Sequence, residues 1–235
     1  MPDSVTASDE YTLRFSGDVG VFLLGVQSNA VSNLLRAQPA LPNGARLLDH
    51  AGTHGQLAAT IDGLGYNRTV SASSAEVVDR ANAASPKLVG PLNSLPVDGM
   101  AFDAVVCVRL LAHIGDIEAA IREMCRLARY TVVVDYPSLR SVNVFSRWLF
   151  KYKKRIERDT REYVSISDKR LHRVFSECGF RPVKEVRQFF IPMALHRAVG
   201  DNIVLRGLEK LAKVIGLTGL IGNPVTVRFD RIETE

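Results

Sequence analysis

Two strongly apolar runs constrain the fold of this chain more than any other feature of its sequence. They are FDAVVCV, Phe102–Val108, and TVVVDY, Thr131–Tyr136, and both are rich in valine. Strands that are buried on both faces have this composition, whereas strands with one face in water alternate apolar and polar residues. Between the two runs, Ile117, Ile121 and Met124 recur at helical spacing. Two buried strands joined by a helix predict a parallel pair within an α/β fold.

The same alternation of strands and helices fills most of the remaining sequence. Weaker patterns predict strands at 45–49, 68–72, 87–89 and 183–191, and helices at 56–64, 74–83 and 142–158. This rhythm predicts a Rossmann-like, doubly wound sheet, mostly parallel and covered by helices on both faces. The chain closes with VTVRFDRI, Val225–Ile232, in which apolar and polar residues alternate. That pattern predicts an antiparallel last strand.

The composition of the chain bears on its cellular compartment and on the classes of ligand that it binds. The segment MPDSVTASDE lacks the basic and apolar regions of a signal peptide, and no apolar run approaches the ~20 residues that span a bilayer. We therefore expect a cytoplasmic protein with three buried free cysteines and no metal site, since no ligands cluster in the sequence. The net charge is +5 without a nucleic-acid-binding motif, so we expect no nucleic-acid partner.

The positive charge is concentrated in the second half of the chain. Seven Lys or Arg residues stand against one acid between Arg140 and Arg158. Such a segment attracts phosphates, lipid head groups or acidic small molecules, or it is a solvated helix face. A second amphipathic segment, LRGLEKLAKVIGL, follows at 205–217. We expect both helices to pack on the sheet with their charges outward, and peripheral membrane contact is the alternative.

The loop after the first predicted strand carries the strongest functional signal. In LLDHAGTHGQLA, Leu47–Ala58, an acid at the strand end is followed by small residues, two glycines and a helix. A dinucleotide site would need GxGxxG and an acid about 20 residues later. Gly52 and Gly55 have the wrong spacing for that site, and Asp49 stands at the strand end itself. The dinucleotide interpretation therefore fails.

The loop resembles the D-x-G-x-G-x-G motif of class I S-adenosylmethionine-dependent methyltransferases, of the methyltransferase type 11 kind. Asp49 and Gly55 match that motif. NSLPVDGMAFDAVV, Asn93–Val106, is similar to the family's approach to its fourth strand, and RLLAH, Arg109–His113, to the following turn. The resemblance covers roughly residues 45–191 and the last strand. It implies S-adenosylmethionine as cofactor, S-adenosylhomocysteine as product, and a small-molecule or lipid-like acceptor.

The resemblance also implies how a single domain, residues 1–235, is organised. Residues 1–40 form an N-terminal helical cap, and 45–136 form the cofactor-binding half. Residues 137–235 form the substrate half, with helical lid insertions at 140–160 and 198–222. The segments YTLRFSG, DYPSLRSVN and RQFFIPMALHR look like one bacterial subgroup of these enzymes. The oligomeric state stays open.

Three departures from the family pattern leave a second function open. Ala51 and Thr53 replace two loop glycines. VSASS stands where the family has an acid at the end of the second strand, so Glu76 is the nearest substitute for that ribose partner. Pro91 stands where an aspartate near the adenine is expected. The alternative function is a catalytically inactive, methyltransferase-like binding or scaffold protein that has lost cofactor affinity.

The resemblance assigns the candidate site residues. Expected cofactor contacts are Arg14, Asp49, Ala51, Gly52, His54, Gly55, Ser71, Ser73, Leu92, Asn93 and Arg109. His113 is the first candidate for a catalytic base, because it follows the fourth strand at the ligand edge of the sheet. Tyr136, together with Asp135 at the end of the fifth strand, is the second candidate. Expected substrate contacts are Arg140, Gln188 and His196.

Overall fold

The fold is described for residues 2–53, 55–79, 85–141, 164–200 and 202–232 of a computed structural model. The helices are α1 (Pro2–Thr6), α2 (Asp9–Leu13), α3 (Gly17–Leu35), α4 (Ala58–Asp62), α5 (Ala75–Val78), α6 (Ile117–Leu127), α7 (Asp168–Glu177), α8 (Met193–Val199), α9 (Ile203–Val214) and α10 (Leu217–Ile221). The strands are β1 (Arg46–His50), β2 (Asn67–Ala72), β3 (Lys87–Val89), β4 (Phe102–Cys107), β5 (Ala128–Tyr136), β6 (Phe180–Phe189) and β7 (Asn223–Arg231).

The strands form one sheet in the order β3-β2-β1-β4-β5-β7-β6. β7 is antiparallel to β5 and β6, and the other neighbours are parallel, which confirms the predicted α/β class and the antiparallel last strand. Since the strand order reverses between β1 and β4, their carboxyl ends border the crevice where sheets of this kind bind ligands. β5 and β6 are both antiparallel to β7, so the carboxyl end of β6 lies at the same edge of the sheet.

The sheet separates two apolar layers, which confirms that helices cover both of its faces. Successive residues of a strand point to opposite faces. Accordingly, Leu48 and Val105 pack with α6 and α7, whereas Leu47 and Val106 pack with α3 and α4. All four side chains are fully buried, so β1 and β4 are central strands.

Two helices differ from the predicted bounds. α4 begins at Ala58 and is shorter than the helix predicted at 56–64. Gly55, in the left-handed conformation, opens a turn that ends at Ala58, and the helix starts only where this turn ends. The helix predicted at 74–83 begins at Ala75, where the Ser74 side chain accepts a hydrogen bond from the backbone of Val77. The helix predicted at 142–158, with most of the insertion at 140–160, lies outside the described residues.

The helix of the second insertion, α9, exposes the apolar face that was predicted to pack on the sheet. Its apolar face is exposed, and the residues of that face are Ile203, Val204, Leu208, Leu211 and Ile215. Glu209 and Ala212 are buried instead, since the Glu209 carboxylate accepts hydrogen bonds from the backbones of Phe190 and Ile191. The expectation that this helix packs its apolar face on the sheet is therefore wrong. Within the described ranges, every helix is too short or too polar to cross a bilayer.

Candidate cofactor and acceptor site

The loop after β1 turns sharply at Ala51 and Gly52. Ala51 has a φ of 57°, the left-handed region that costs an alanine about 1–2 kcal/mol. Its methyl group packs in the apolar core with Leu48. A Cβ atom on Gly52 would lie 2.0 Å from the carboxyl carbon of Asp49, so this position requires glycine. Ala51, where the family motif has its first glycine, thus strains the backbone of the loop, while its methyl group lies in the core.

Gly55 closes the loop beside open space. Its φ is 65°, which favours glycine, and apart from its two chain neighbours no described residue has an atom within 4 Å of the place where its Cβ would be. Thr53 is buried, and its hydroxyl forms no hydrogen bond in the described part of the chain. Buried hydroxyls usually have a partner. The loop therefore offers both an approach to its backbone and an unused polar group, while His54 lies outside the described residues.

The carboxylate of Asp49 lies beneath the loop, at the end of β1. Nη1 of Arg68 is 3.7 Å from its Oδ2 atom, and both side chains are buried. Burial raises the pKa of Asp49 to about 7, although the positive charge of Arg68 opposes this shift. The motif acid is therefore held between Arg68 and Gly52 and is only partly ionised near neutral pH.

Ser71, in β2, supports the first turn of the loop. Its Oγ atom lies 2.9 Å from Nδ1 of His50 and accepts a hydrogen bond from the backbone N–H of Ala51. Burial lowers the pKa of His50 to about 4, so the ring is neutral at physiological pH. Ser71 thus has protein partners that fix the loop to β2.

A carboxylate from the start of the chain lies at the end of β2. Asp3 of α1 is fully buried, and its Oδ2 and Oδ1 atoms accept hydrogen bonds from the Ser73 backbone at 2.7 Å and the Ser73 hydroxyl at 2.6 Å. Ala7, just after α1, packs against Ala72. The folded chain thus places a carboxylate at the end of β2, where the sequence of the strand itself has none. Seventy residues separate Asp3 from Ser73, and no sequence pattern links them.

Four side chains form a polar cluster at the carboxyl ends of β4 and β5, which we call the Arg109 cluster: Tyr11, Gln27, Arg109 and Asp135. The Arg109 backbone and Gln27 Nε2 donate to the two oxygens of Asp135, and Arg109 Nη2 donates to Gln27 Oε1. Burial raises the pKa of Asp135 to about 6, although these donors and the charge of Arg109 oppose it. Nη1 of Arg109 is buried and has no hydrogen-bond partner among the described residues.

Helix α2 and the residues after it cover the Arg109 cluster. Burial raises the pKa of Tyr11, while the nearby charge of Arg109 opposes the shift. The Arg109 guanidinium carbon lies 3.8 Å from the centre of the Phe15 ring. Arg14 lies over the Tyr11 ring, and His113 contacts the same ring edge to face at 6.0 Å between ring centres. Three predicted site residues, Arg14, Arg109 and His113, are therefore brought together.

Tyr136 belongs to a different network. It points to the opposite face of β5 from Asp135, because neighbouring strand residues alternate. Its hydroxyl donates to Asp168 Oδ1 at 2.9 Å, and burial raises its pKa. Arg187 pairs with Asp168 Oδ2 at 2.9 Å and donates to the backbone carbonyl of Arg140, whose own side chain is exposed. These contacts join β5, β6 and α7.

Gln188 and His196 lie buried at the end of β6 and in α8. Gln188 Nε2 donates to Thr226 Oγ1 at 2.7 Å, and its Oε1 atom has no hydrogen-bond partner among the residues the structure describes. His196 Nε2 lies 3.0 Å from Glu209 Oε1, and its ring packs on Phe22. His196 thus ties α8 to α9, whereas Gln188 keeps an unused acceptor.

The remaining predicted cofactor contacts, Leu92 and Asn93, differ in exposure. Leu92 is part of the buried core, and Asn93 is exposed. The sequence reasoning missed Asp3 and Gln27. Gln27 carried a usable signal, because it is a polar residue within the apolar stripe of a long helix.

Comparison with known proteins shows which family and which folds this chain is similar to. A family model for the methyltransferase domain matches residues 48–131. No curated protein matches the chain significantly. Among solved structures, the magnesium protoporphyrin IX methyltransferase of Synechocystis with bound S-adenosylhomocysteine is 14% identical, with a TM-score of 0.61 over 92% of this chain and 89% of that chain.

Two further structures show the range of proteins with this fold. A methyltransferase in complex with the Trm112 activator of Haloferax volcanii is 16% identical, with a TM-score of 0.62 over 99% of this chain and 98% of that chain. The cyclase SpnF is 16% identical, with a TM-score of 0.58 over 87% and 81%. At such identities the likeness concerns the fold. Residues 48–131 are thus similar to the methyltransferase domain family, and the described chain has the fold of class I S-adenosylmethionine-dependent methyltransferases.

Proposed function

We propose that this chain binds S-adenosylmethionine at the carboxyl ends of β1 and β2 and methylates a small-molecule or lipid-like acceptor near the ends of β4 and β5. The observation that carries the proposal is the open space beside Gly55, at the point where the strand order of a methyltransferase fold reverses. When bound, the cofactor supplies an activated methyl group, and S-adenosylhomocysteine is the product.

The residues around the loop have the chemistry that this cofactor needs. Gly55 leaves open space beside the backbone of the loop, whose N–H groups at Ala51, Gly52 and Gly55 donate within the protein. The Thr53 hydroxyl and Arg109 Nη1 lack hydrogen-bond partners among the described residues. A guanidinium group suits the methionine carboxylate, and a hydroxyl suits either its amine or its carboxylate. Both groups therefore support the binding of an amino-acid moiety at this edge.

Asp3 would hold the ribose hydroxyls in place of the acid missing from β2. Its two oxygens each accept one hydrogen bond from Ser73, which leaves further acceptor positions on both. Ser73 would thus position Asp3. This assignment replaces Glu76, whose place in the first turn of α5 is also that of an ordinary helix-start acid.

His113 is the proposed proton acceptor, with Asp135 as the second candidate. A hydroxyl or amine acceptor loses a proton on methylation, so a nearby base assists. His113 is half-buried beside Tyr11, whereas both oxygens of Asp135 already accept hydrogen bonds. Tyr136 is less suited, because burial raises its pKa and its hydroxyl donates to Asp168. Once an acceptor substrate is identified, His113→Ala should lower the turnover of methyl transfer and leave the affinity for the cofactor unchanged.

Calorimetric titration with S-adenosylmethionine and S-adenosylhomocysteine tests the binding site. Gly55→Leu should weaken binding at least tenfold, because its side chain would enter the open space. Gly65→Leu is the matched control: Gly65 also has a positive φ of 77° with open space around it, but it precedes β2 at the other edge of the sheet. Equal affinity of the two folded variants would show that the loop does not bind the cofactor.

The alternative function is a binding or scaffold protein that has lost catalysis. Two observations favour it: the left-handed Ala51 in the loop and the protein partners that Ser71 already has. The same titration decides between the two functions. Absence of heat at millimolar ligand, with folded protein, would favour the scaffold.

A further inference from the structure

The α9 helix presents an aliphatic face to solvent. The exposed fraction of Ile203 is 86%, that of Val214 is 76% and that of Val204 is 64%. Leu208, Leu211 and Ile215 extend the same face. A helix on the surface of a globular protein normally turns its apolar stripe to the core, and large exposed apolar patches mark interaction sites. Since α9 does the reverse, its outer face lacks a partner within the described chain.

Polar contacts hold α9 in this orientation. The Glu209 carboxylate accepts hydrogen bonds from the backbone N–H groups of Phe190 and Ile191, and it lies 3.0 Å from His196 Nε2. Phe190 and Ile191 directly follow β6, and His196 lies in α8. Turning the aliphatic face inward would break all three contacts and leave the backbone N–H groups of Phe190 and Ile191 without their acceptor. The outward orientation is thus built into the fold.

The exposed charged residues of α9 itself are all basic, although Asp18 of α3 lines a pocket together with Arg206. Arg206, Lys210 and Lys213 are exposed along one side of the aliphatic residues, as 100° per residue places them. Glu209 is the single acid between 203 and 222 in the sequence, and it is buried. The outer surface of α9 therefore combines aliphatic and basic side chains without a carboxylate.

We propose that this surface, the aliphatic residues of α9 together with Arg206, Lys210 and Lys213, docks on an anionic lipid bilayer. Burial of aliphatic side chains stabilises contact by about 25 cal/mol per Å². Each cation near an anionic membrane contributes about 1 kcal/mol more. Protein interfaces instead rely on aromatic anchors and directional polar groups, and the exposed residues of α9 include no aromatic side chain. Aliphatic residues beside cations are the pattern of helices that lie in the membrane interface.

Docking through α9 would set the candidate site against the bilayer. The helices α8 to α10 follow the carboxyl end of β6, which lies at the same edge of the sheet as the ends of β1, β4 and β5. An acceptor dissolved in the membrane would then meet the site without crossing water. The docking itself requires neither cofactor nor methyl transfer, so its test is independent of the proposed function.

Co-sedimentation of the full chain with vesicles tests the proposal. We expect binding to vesicles of phosphatidylglycerol and phosphatidylcholine, weaker binding at high salt, and little binding to phosphatidylcholine alone. The double variant I203S/L211S should weaken binding at least tenfold, and K210E/K213E should do the same on anionic vesicles. The matched control V183S/K184E changes one apolar and one basic exposed residue at the start of β6, and its binding should be unchanged.

Two outcomes would overturn the proposal. One is equal vesicle binding by the folded I203S/L211S variant and the unaltered chain. The other is the absence of vesicle binding together with a dimer in light scattering that I203S/L211S dissociates, which would assign the face to a second copy of the chain. Thermal unfolding of each variant verifies that it is folded, which is expected because all six substituted residues are exposed.

Discussion

At the scale of single residues, substitution of Asp3 tests the proposed ribose contact most directly. It is fully buried against Ser73, at the end of the strand where the resemblance requires an acid. Asp3→Ala should weaken S-adenosylhomocysteine binding by about tenfold to a hundredfold, since hydrogen bonds to charged groups contribute about 1.5–3 kcal/mol. Calorimetric titration measures the change. Asp9→Ala, at an exposed acid of the next helix, is the matched control and should leave affinity unchanged.

A ligand analogue separates ribose binding by Asp3 from mere support of α1. The 2′-deoxy form of S-adenosylhomocysteine should bind the unaltered chain less tightly than the parent compound. In Asp3→Ala the two ligands should bind equally, because the partner of the hydroxyl is gone. A persistent difference between them in the variant would assign Asp3 to structure alone.

The burial of Asp49 predicts an unusual pH dependence of stability. Its pKa in the folded chain is about 7, against an ordinary value of 3.8, so the folded state binds more protons between these pH values. The contribution of Asp49 to stability is therefore full below about pH 4 and is lost as the pH rises to about 7. Asp49→Asn should remove this loss, so the variant should gain about 1–4 kcal/mol relative to the unaltered chain between pH 4 and 7.5.

Urea unfolding across that pH range measures the Asp49 effect. Asp98→Asn, at an exposed acid, is the matched control for the exchange of a carboxylate for an amide. A difference for Asp49→Asn that does not vary with pH would mean that Asp49 stays ionised in the folded state, held so by Arg68.

At the scale of elements, the network of Asp168 fixes α7 to the sheet. Burial would raise the pKa of Asp168, but hydrogen bonds from Ser138, Arg187 and Tyr136 outweigh it and lower the pKa below its usual value. Asp168→Ala should cost about 3 kcal/mol of unfolding free energy, because it removes the acceptor of the Ser138 and Tyr136 hydroxyls and one of the two carboxylate partners of the buried Arg187. Ser167→Ala, at the adjacent N-cap, should cost less than about 0.5 kcal/mol, since Ser167 forms no capping hydrogen bond.

Chemical denaturation of the two α7 variants compares these costs. Similar losses in both would mean that the start of α7 contributes to stability as a whole and that the ion pair adds nothing. The prediction belongs to the element, because the residues involved hold β5, β6 and α7 together.

Elements were predictable from sequence where local pattern and tertiary burial agree. β4 and β5 are buried on both faces, so their apolar runs identify them without knowledge of the neighbours. α9 shows the limit: its periodicity predicted a helix correctly but not which face is buried. The direction depends on Glu209 and the backbone at the end of β6, a contact that no local pattern contains.

The candidate site divides in the same way. Asp49 and Gly55 lie in one local turn, so a motif finds them. The Arg109 cluster and the contact of Asp3 with Ser73 join residues that are 26 to 108 positions apart, and their chemistry emerges only when the chain is folded. The structure places α1 and α2 against the ends of β2, β4 and β5, which explains why the N-terminal segment contributes to a site whose motif lies elsewhere.

At the scale of the whole molecule, one sheet links residues 45–136 with residues 137–235. β4 and β5 pair directly, and β7 continues the sheet from β5 to β6. We therefore expect thermal unfolding in a single transition that S-adenosylhomocysteine shifts upward. A ligand at a hundredfold excess over its Kd stabilises by about 2.7 kcal/mol, which for a chain of this size raises Tm by about 5–10 °C.

Differential scanning calorimetry at increasing S-adenosylhomocysteine concentration measures this shift. Gly65→Leu should start from a lower Tm but retain the shift of Tm with ligand. Gly55→Leu should lose this shift, because only the leucine at position 55 would enter the proposed cofactor space. Two separate transitions, of which the ligand moves only one, would mean that residues 45–136 and 137–235 unfold independently despite the shared sheet. A single transition that no concentration moves would instead favour the scaffold, since a ligand that binds only the folded chain must stabilise it.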